Sequence, residues 1–146
     1  MKVLLHCDAS YHKENGTAAW ALIIEKRKGR FLNFRHSGHF LQQPASSQYA
    51  ELYAALIGIS CAITFGAKEI LVCTDHLDTV RAINYDVPNH PFTMHLQRSL
   101  TKIYIPVGTH ITAKHVPAHT DKQDLFSKRN RWCDQEAKRA RNELEQ

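Results

Sequence analysis

Short apolar runs that stop at acidic residues alternate along this chain with longer stretches of helical composition. Lys2 to Cys7 is an apolar run ended by Asp8, which reads as a buried strand whose C-terminal end delivers an acid to the surface. Asn15-Gly16 marks a turn, and Thr17 to Glu25 is rich in Ala, Trp, Leu and Ile. Lys28-Gly29 followed by Phe31 to Phe40 completes a hairpin, so the first forty residues predict three antiparallel strands.

From Ser47 to Phe65 the chain turns to Ala, Leu, Tyr and Ile without a proline, with Ser46 or Ser47 as N-cap and Gly66 at the end. A helix that is apolar almost all round has no side to show to water, which places it against the sheet at the centre of the domain. Glu69 to Thr74 is a short β-rich run that again ends in an acid, Asp75. A strand–helix–strand step of this length implies parallel pairing. Downstream, Asp78 to Asn84 reads as a short helix, Phe92 to Tyr104 as an amphipathic one, and His110 to Val116 as a strand. Pro117 to Lys128 reads as polar and irregular, and Asn130 to Leu144 as a charged C-terminal helix. The order predicts an α/β architecture with a mixed sheet and helices packed on it.

At 146 residues and 43% hydrophobic, the chain suits a single domain over 1–146. A net charge of +5 favours a polyanionic partner, although Lys26, Arg27, Lys28 and Arg30 read equally well as a solvated hairpin tip. Cys7, Cys61, Cys73 and Cys133 are far apart with no C-x-x-C spacing, which suits free thiols in a reducing cytoplasm. The apolar stretch at the N-terminus is too short for a signal peptide, and no run approaches the roughly twenty apolar residues of a membrane span.

The acids give the first chemical signal. Open α/β sheets place ligands outside the carboxyl ends of parallel strands, where Asp8 and Asp75 are expected. Glu51 lies one turn into the central helix, where an ionised carboxylate must be paired, metal-bound or at the helix end facing solvent. Asp134 is expected one turn into the last helix. Four acids converging on one end of a sheet would repel one another unless cations neutralised them. Hard carboxylate oxygens select Mg²⁺, with Mn²⁺ as a substitute, and two such ions about 4 Å apart suit phosphodiester hydrolysis.

Five segments carry a resemblance to a known family: Asp8-Ala9-Ser10, Ser47-Gln48-Tyr49-Ala50-Glu51-Leu52, Cys73-Thr74-Asp75, His115-Val116-Pro117-Ala118-His119-Thr120, and Asn130-Arg131-Trp132-Cys133-Asp134. In this order, over nearly the whole chain, they resemble type-one ribonuclease H. The resemblance implies a ribonuclease H-like fold: a five-stranded mixed sheet, three strands antiparallel and the rest parallel, with helices on both faces. It implies a monomeric endonuclease that cuts the RNA strand of RNA–DNA hybrids with two Mg²⁺ ions and no small-molecule cofactor. The metal-binding acids carry over onto Asp8, Glu51, Asp75 and Asp134, and the mobile histidine that assists turnover onto His119. Ser10, Ser47, Gln48 and Asn130 fall at positions implied to contact the nucleic acid.

The chain departs from the family pattern in four places. Ala9 replaces a glycine, His76 a serine and Arg131 an acid, and the stretch between His119 and Asp134 is longer than usual. It also lacks an obvious long basic protrusion between Asp75 and the last strand. Two other readings stay open: a binding module on the same fold that has lost catalysis, and a related nuclease or resolvase acting on DNA. A zinc pair at His115 and His119 is disfavoured by the intervening proline and the absence of a cysteine pair at finger spacing. A serine triad is disfavoured because no G-x-S-x-G elbow is present. Trp132 is a candidate for stacking on bases, whereas Trp20, His6, Cys7 and Cys73 read as strand packing.

Overall fold

A computed structural model describes residues 1–26, 29, 32–86, 90–118 and 120–146. His119 and the hairpin-tip residues Arg27, Lys28 and Arg30 lie outside the described residues. The elements run β1 (Lys2–Tyr11), β2 (Ala18–Lys26), β3 (Leu32–His39), α1 (Ser47–Thr64), β4 (Glu69–Thr74), α2 (Leu77–Ile83), α3 (Pro91–Leu100), β5 (His110–His115) and α4 (Leu125–Leu144). They form one five-stranded sheet in the order β3-β2-β1-β4-β5. The β1–β2 and β2–β3 pairs are antiparallel, and the β1–β4 and β4–β5 pairs are parallel, as expected.

The sheet is covered on both faces. Val3, Leu5 and Cys7 of β1, with Leu22 and Ile24 of β2 and Val72 of β4, meet Ala54, Ala55, Ile59 and Ala62 of α1. The opposite face presents Ala21 and Ile23, covered by Cys133 and Ala137 of α4. Because β2 is buried on both sides, its sequence is a continuous apolar run rather than an alternating one. Helix α1 is apolar all round for a related reason. Its far side packs Leu52 and Leu56 against Ala82 of α2 and Phe92 and Leu96 of α3.

Local chemistry fixes the helix ends. Ser46 caps α1 by accepting from the Tyr49 amide, and Gly66 leaves the helix at φ 87°, a conformation that favours glycine. At the free edge of β5 the Asn84 side chain donates to the Ala113 carbonyl at 3.0 Å and accepts from its amide at 2.9 Å. One side chain thus stands in for a neighbouring strand there.

Three boundaries differ from the sequence reading by more than one residue. Helix α3 ends at Leu100 rather than Tyr104, and short backbone turns carry the chain through Lys102 and Ile103. Helix α4 starts at Leu125, five residues before the expected Asn130, because Asp124 acts as N-cap and accepts from the Ser127 amide at 3.1 Å. Asp134 consequently lies in the third turn of α4, not one turn into it. Strand β1 does not stop at Asp8 but continues to Tyr11, paired with β2 throughout. What ends near Asp8 is the partnership with β4, whose last paired residues are His6 and Cys73.

Candidate active site

The end of the β1–β4 pairing creates the site. Beyond His6 and Cys73, β4 parts from β1 and stays paired only with β5 to Thr74, while β1 runs on beside β2, so Asp8 and Asp75 stand level at the mouth of the gap. Glu51 reaches the same place from the second turn of α1. Ligand oxygens of Asp8, Glu51 and Asp75 all lie within 4.8 Å of one another. Asp8 is 2% exposed.

Burial and mutual repulsion dominate the electrostatics. Loss of water raises the Asp8 carboxyl well above the usual carboxylate range, and the Asp75 charge raises it further. Asp134 adds to the repulsion, while a hydrogen bond from Glu51 and the Ala9 amide oppose it. Glu51 is raised well above its ordinary value too, first by burial and then by the charge of Asp8 and by donating the bond they share. Burial and the neighbouring charges thus oppose full ionisation of this pair when no cation neutralises it. Glu51 Oε2 is buried with no hydrogen-bond partner among the described residues. A buried, unpartnered oxygen in a ring of hard carboxylate donors fits a divalent cation such as Mg²⁺.

The fourth expected acid stands slightly apart. Asp134 is close enough to raise Asp8, yet it is not among the three acids whose oxygens cluster. Its Oδ2 accepts from Lys138 Nζ at 3.2 Å, one turn further along α4. Asn130, on the preceding turn, donates to Asp75 Oδ2 at 3.4 Å and so faces the acid cluster. Ser10 lies on β1 two residues beyond Asp8, on the same face of the sheet, and is buried. Ser47 and Gln48 are exposed on the first turn of α1, where the Gln48 amide donates to Asp78 at 3.1 Å.

The departures acquire physical explanations. Ala9 sits in extended strand opposite Trp20, and among the described residues the only non-glycine residue with positive φ is Tyr85. The lost glycine freedom is therefore not needed in this backbone, and the Ala9 amide serves both Asp8 and Glu51. His76, for which the sequence offered no role, is the N-cap of α2. Its Nδ1 accepts from the Thr79 amide and lies 2.6 Å from the Thr79 hydroxyl, and its ring meets Phe92 edge-on. Trp132 packs beside Cys133 and Ala137, and the Arg35 guanidinium covers one face of its ring at 4.9 Å.

Sequence reasoning missed a buried ionic group beneath the first turns of α4. Glu25, 3% exposed, lies 3.1 Å from His6 Nε2 and accepts from Arg129 Nε at 2.8 Å. Bonding to His6 and Arg129 holds its carboxyl down at about 2. The available signal was an acid at an inward position of an otherwise apolar strand, with a histidine diagonal to it on β1.

The sequence matches the reverse transcriptase-like family over residues 6–126. The chain belongs to that family. The matched stretch includes Asp8, Glu51 and Asp75 and ends before Asp134. No curated protein matches the sequence. Ribonuclease H1 of the halophilic archaeon Halobacterium salinarum aligns structurally with a TM-score of 0.72 at 18% identity, covering 98% of this chain and 99% of its own. The N-terminal ribonuclease H domain of a Mycobacterium tuberculosis protein gives 0.70 at 18% identity, covering 97% and 94%. LC11-RNase H1, isolated from compost by a metagenomic approach and solved in complex with an RNA/DNA hybrid, gives 0.75 at 17% identity and 99% of both chains. This member of the family therefore has the ribonuclease H fold over its whole described length. No helix among its described residues is long and apolar enough to cross a membrane.

Proposed function

We propose that this chain, working as a single domain, is a metal-dependent endonuclease that hydrolyses the RNA strand of RNA–DNA hybrids. The observation that carries the reading is the convergence of Asp8, Glu51 and Asp75 within 4.8 Å at the point where β1 and β4 part. A protein with no use for a cation gains nothing from three crowded acids, two of which burial and mutual charge hold back from ionising. Magnesium, when bound, supplies the positive charge that lets these acids ionise together and polarises a phosphodiester for attack by water. Asp8, Glu51 and Asp75 would hold it, and Asp134, now bonded to Lys138, would complete the set. Asn130 orients Asp75 through its hydrogen bond, and Ala9 steadies the Asp8–Glu51 pair through its amide. Ser10, Ser47 and Gln48 contact the nucleic acid, with Gln48 exchanging Asp78 for substrate. His119 assists turnover.

Hybrids are distinguished from DNA duplexes by groove shape and by the 2′-hydroxyl, so cutting shows little sequence preference. The test is cleavage of a labelled RNA–DNA hybrid in Mg²⁺, in Mn²⁺ and in chelator, with RNA and DNA duplexes as controls. Metal-dependent cutting confined to the RNA strand of the hybrid is the expected outcome. Hybrid binding without cleavage would replace this reading by a binding module, and cutting of the DNA controls would replace it by a DNA-directed nuclease.

A further inference from the structure

Three consecutive residues of α4 reach three different parts of the molecule. Arg129 binds Glu25 on β2 at 2.8 Å, and Asn130 donates to Asp75 after β4 at 3.4 Å. Arg131 donates from one nitrogen, Nη1, to the carbonyls of Thr120 at 3.0 Å and Lys122 at 2.9 Å. Successive helical residues point about 100° apart, so this single turn grips the sheet, the acid cluster and the incoming loop at once. The loop grip is the new element, because Arg131 stands one turn before Asp134. The segment 120–122 and the fourth acid are thus tied to the same piece of helix.

We infer that Arg131 is a positioning residue: by holding the Thr120 and Lys122 carbonyls it docks the segment 120–122 against the turn of α4 that precedes Asp134 and so sets turnover. The inference rests on the hydrolase reading above, in which His119, the neighbour of this segment in the sequence, assists turnover. Both bonds are charge-assisted and leave two backbone carbonyls without this donor if the side chain is lost. An aspartate or glutamate at position 131 would present only acceptors to two further acceptors, so a basic residue belongs there. Because one nitrogen makes both bonds, a lysine ammonium can in part replace it, whereas alanine cannot.

The experiment compares the unmodified protein with Arg131→Ala and Arg131→Lys. Tryptic nicking after Lys122, followed by mass spectrometry, reads docking of the loop without reference to activity. Hybrid cleavage gives kcat and KM separately. Arg131→Ala is expected to be nicked about tenfold faster and to lose about tenfold in kcat, with KM within about twofold and Tm within about 2 °C. Arg131→Lys should recover most of both losses. Unchanged nicking in Arg131→Ala would overturn the docking, and faster nicking with unchanged kcat would overturn the link to turnover. If the unmodified protein cuts no hybrid, the hydrolase reading fails, and the link to turnover with it. The nicking comparison still decides the docking in that case.

Discussion

Replacing Asp8 by asparagine should make the metal-free protein more stable while abolishing cleavage. The ligand oxygens of Asp8, Glu51 and Asp75 lie within 4.8 Å of one another. At that separation two full charges repel by about 3.5 kcal/mol for an effective dielectric constant of about 20. The site can escape by holding a proton, but protonating an ordinary carboxylate at pH 7 costs about 4 kcal/mol. Either route leaves the metal-free site strained by roughly 3 to 4 kcal/mol, an upper bound that relaxation lowers. Asparagine removes one charge and keeps the volume, although its buried amide must find partners, so a net gain of about 1 to 2 kcal/mol is expected. For a chain of this size that is a rise in Tm of roughly 3 to 6 °C.

The assay is thermal unfolding of both proteins at one pH near neutrality, in chelator and then in Mg²⁺, beside hybrid cleavage and hybrid binding. Magnesium at a hundred times its dissociation constant should stabilise the unmodified protein by about 2.7 kcal/mol. The variant, missing a central ligand, should gain much less, so the order of stability reverses on adding metal. Hybrid binding should survive the substitution. A variant less stable than the unmodified protein in chelator, or one equally stabilised by Mg²⁺, would refute the account of the acids as an uncompensated cation site. Full cleavage by the variant would refute the metal assignment outright.

Three further outcomes follow from other parts of the structure. Glu25 is held at about 2 against an ordinary 4.5, so its ion pair stabilises the fold fully above pH 4.5 and is lost as pH falls toward 2. The shift corresponds to about 3 kcal/mol, and acid titration of the unfolding free energy should show a limb of roughly that size that Glu25→Gln removes; an unchanged limb would assign acid sensitivity elsewhere. At Gly58 an added Cβ would lie 2.6 Å from Leu5 Cδ1, in a fully buried contact between α1 and β1. Gly58→Ala should therefore destabilise by about 1 to 3 kcal/mol in denaturant unfolding, despite a gain of about 1 kcal/mol in helix propensity, and a stabilised variant would show that the helix can shift freely. His119→Ala should slow hybrid turnover without eliminating it, and an unchanged kcat would mean that the longer loop has displaced this role.

How much the sequence revealed depended on whether a feature is local. Ser46, Gly66 and the apolar run between them mark both ends of α1, and Glu69 to Thr74 is β4 to the residue, because caps, breakers and periodicity act over a few positions. The start of α4 was hidden for a local reason too. Asp124 sits in a run of polar residues in which a capping aspartate looks like any other solvated acid, and only Leu125 and Phe126 hint at burial. Phe126 packs beside His6 and beneath Lys114, partners drawn from two different strands.

The features that no local pattern discloses are those where elements distant in sequence meet, and most of them involve α4. Glu25 is balanced by His6 and by Arg129, 104 positions later, so the same carboxylate reads as an anomaly in β2 and as an anchor in the folded chain. That anchor explains why a helix of low mean hydropathy lies firmly on the sheet. Its apolar contact with Ala21 and Ile23 is narrow, and Arg129, Asn130 and Arg131 add polar attachments to β2, to Asp75 and to the loop before it. Placing Asp134 in the third turn, one turn further in than the sequence reading has it, leaves room for this turn of attachments ahead of the acid. The position of the fourth acid therefore depends on contacts spread across the fold, whereas Asp8, Glu51 and Asp75 are placed by the parting of β1 and β4 and the helix between them.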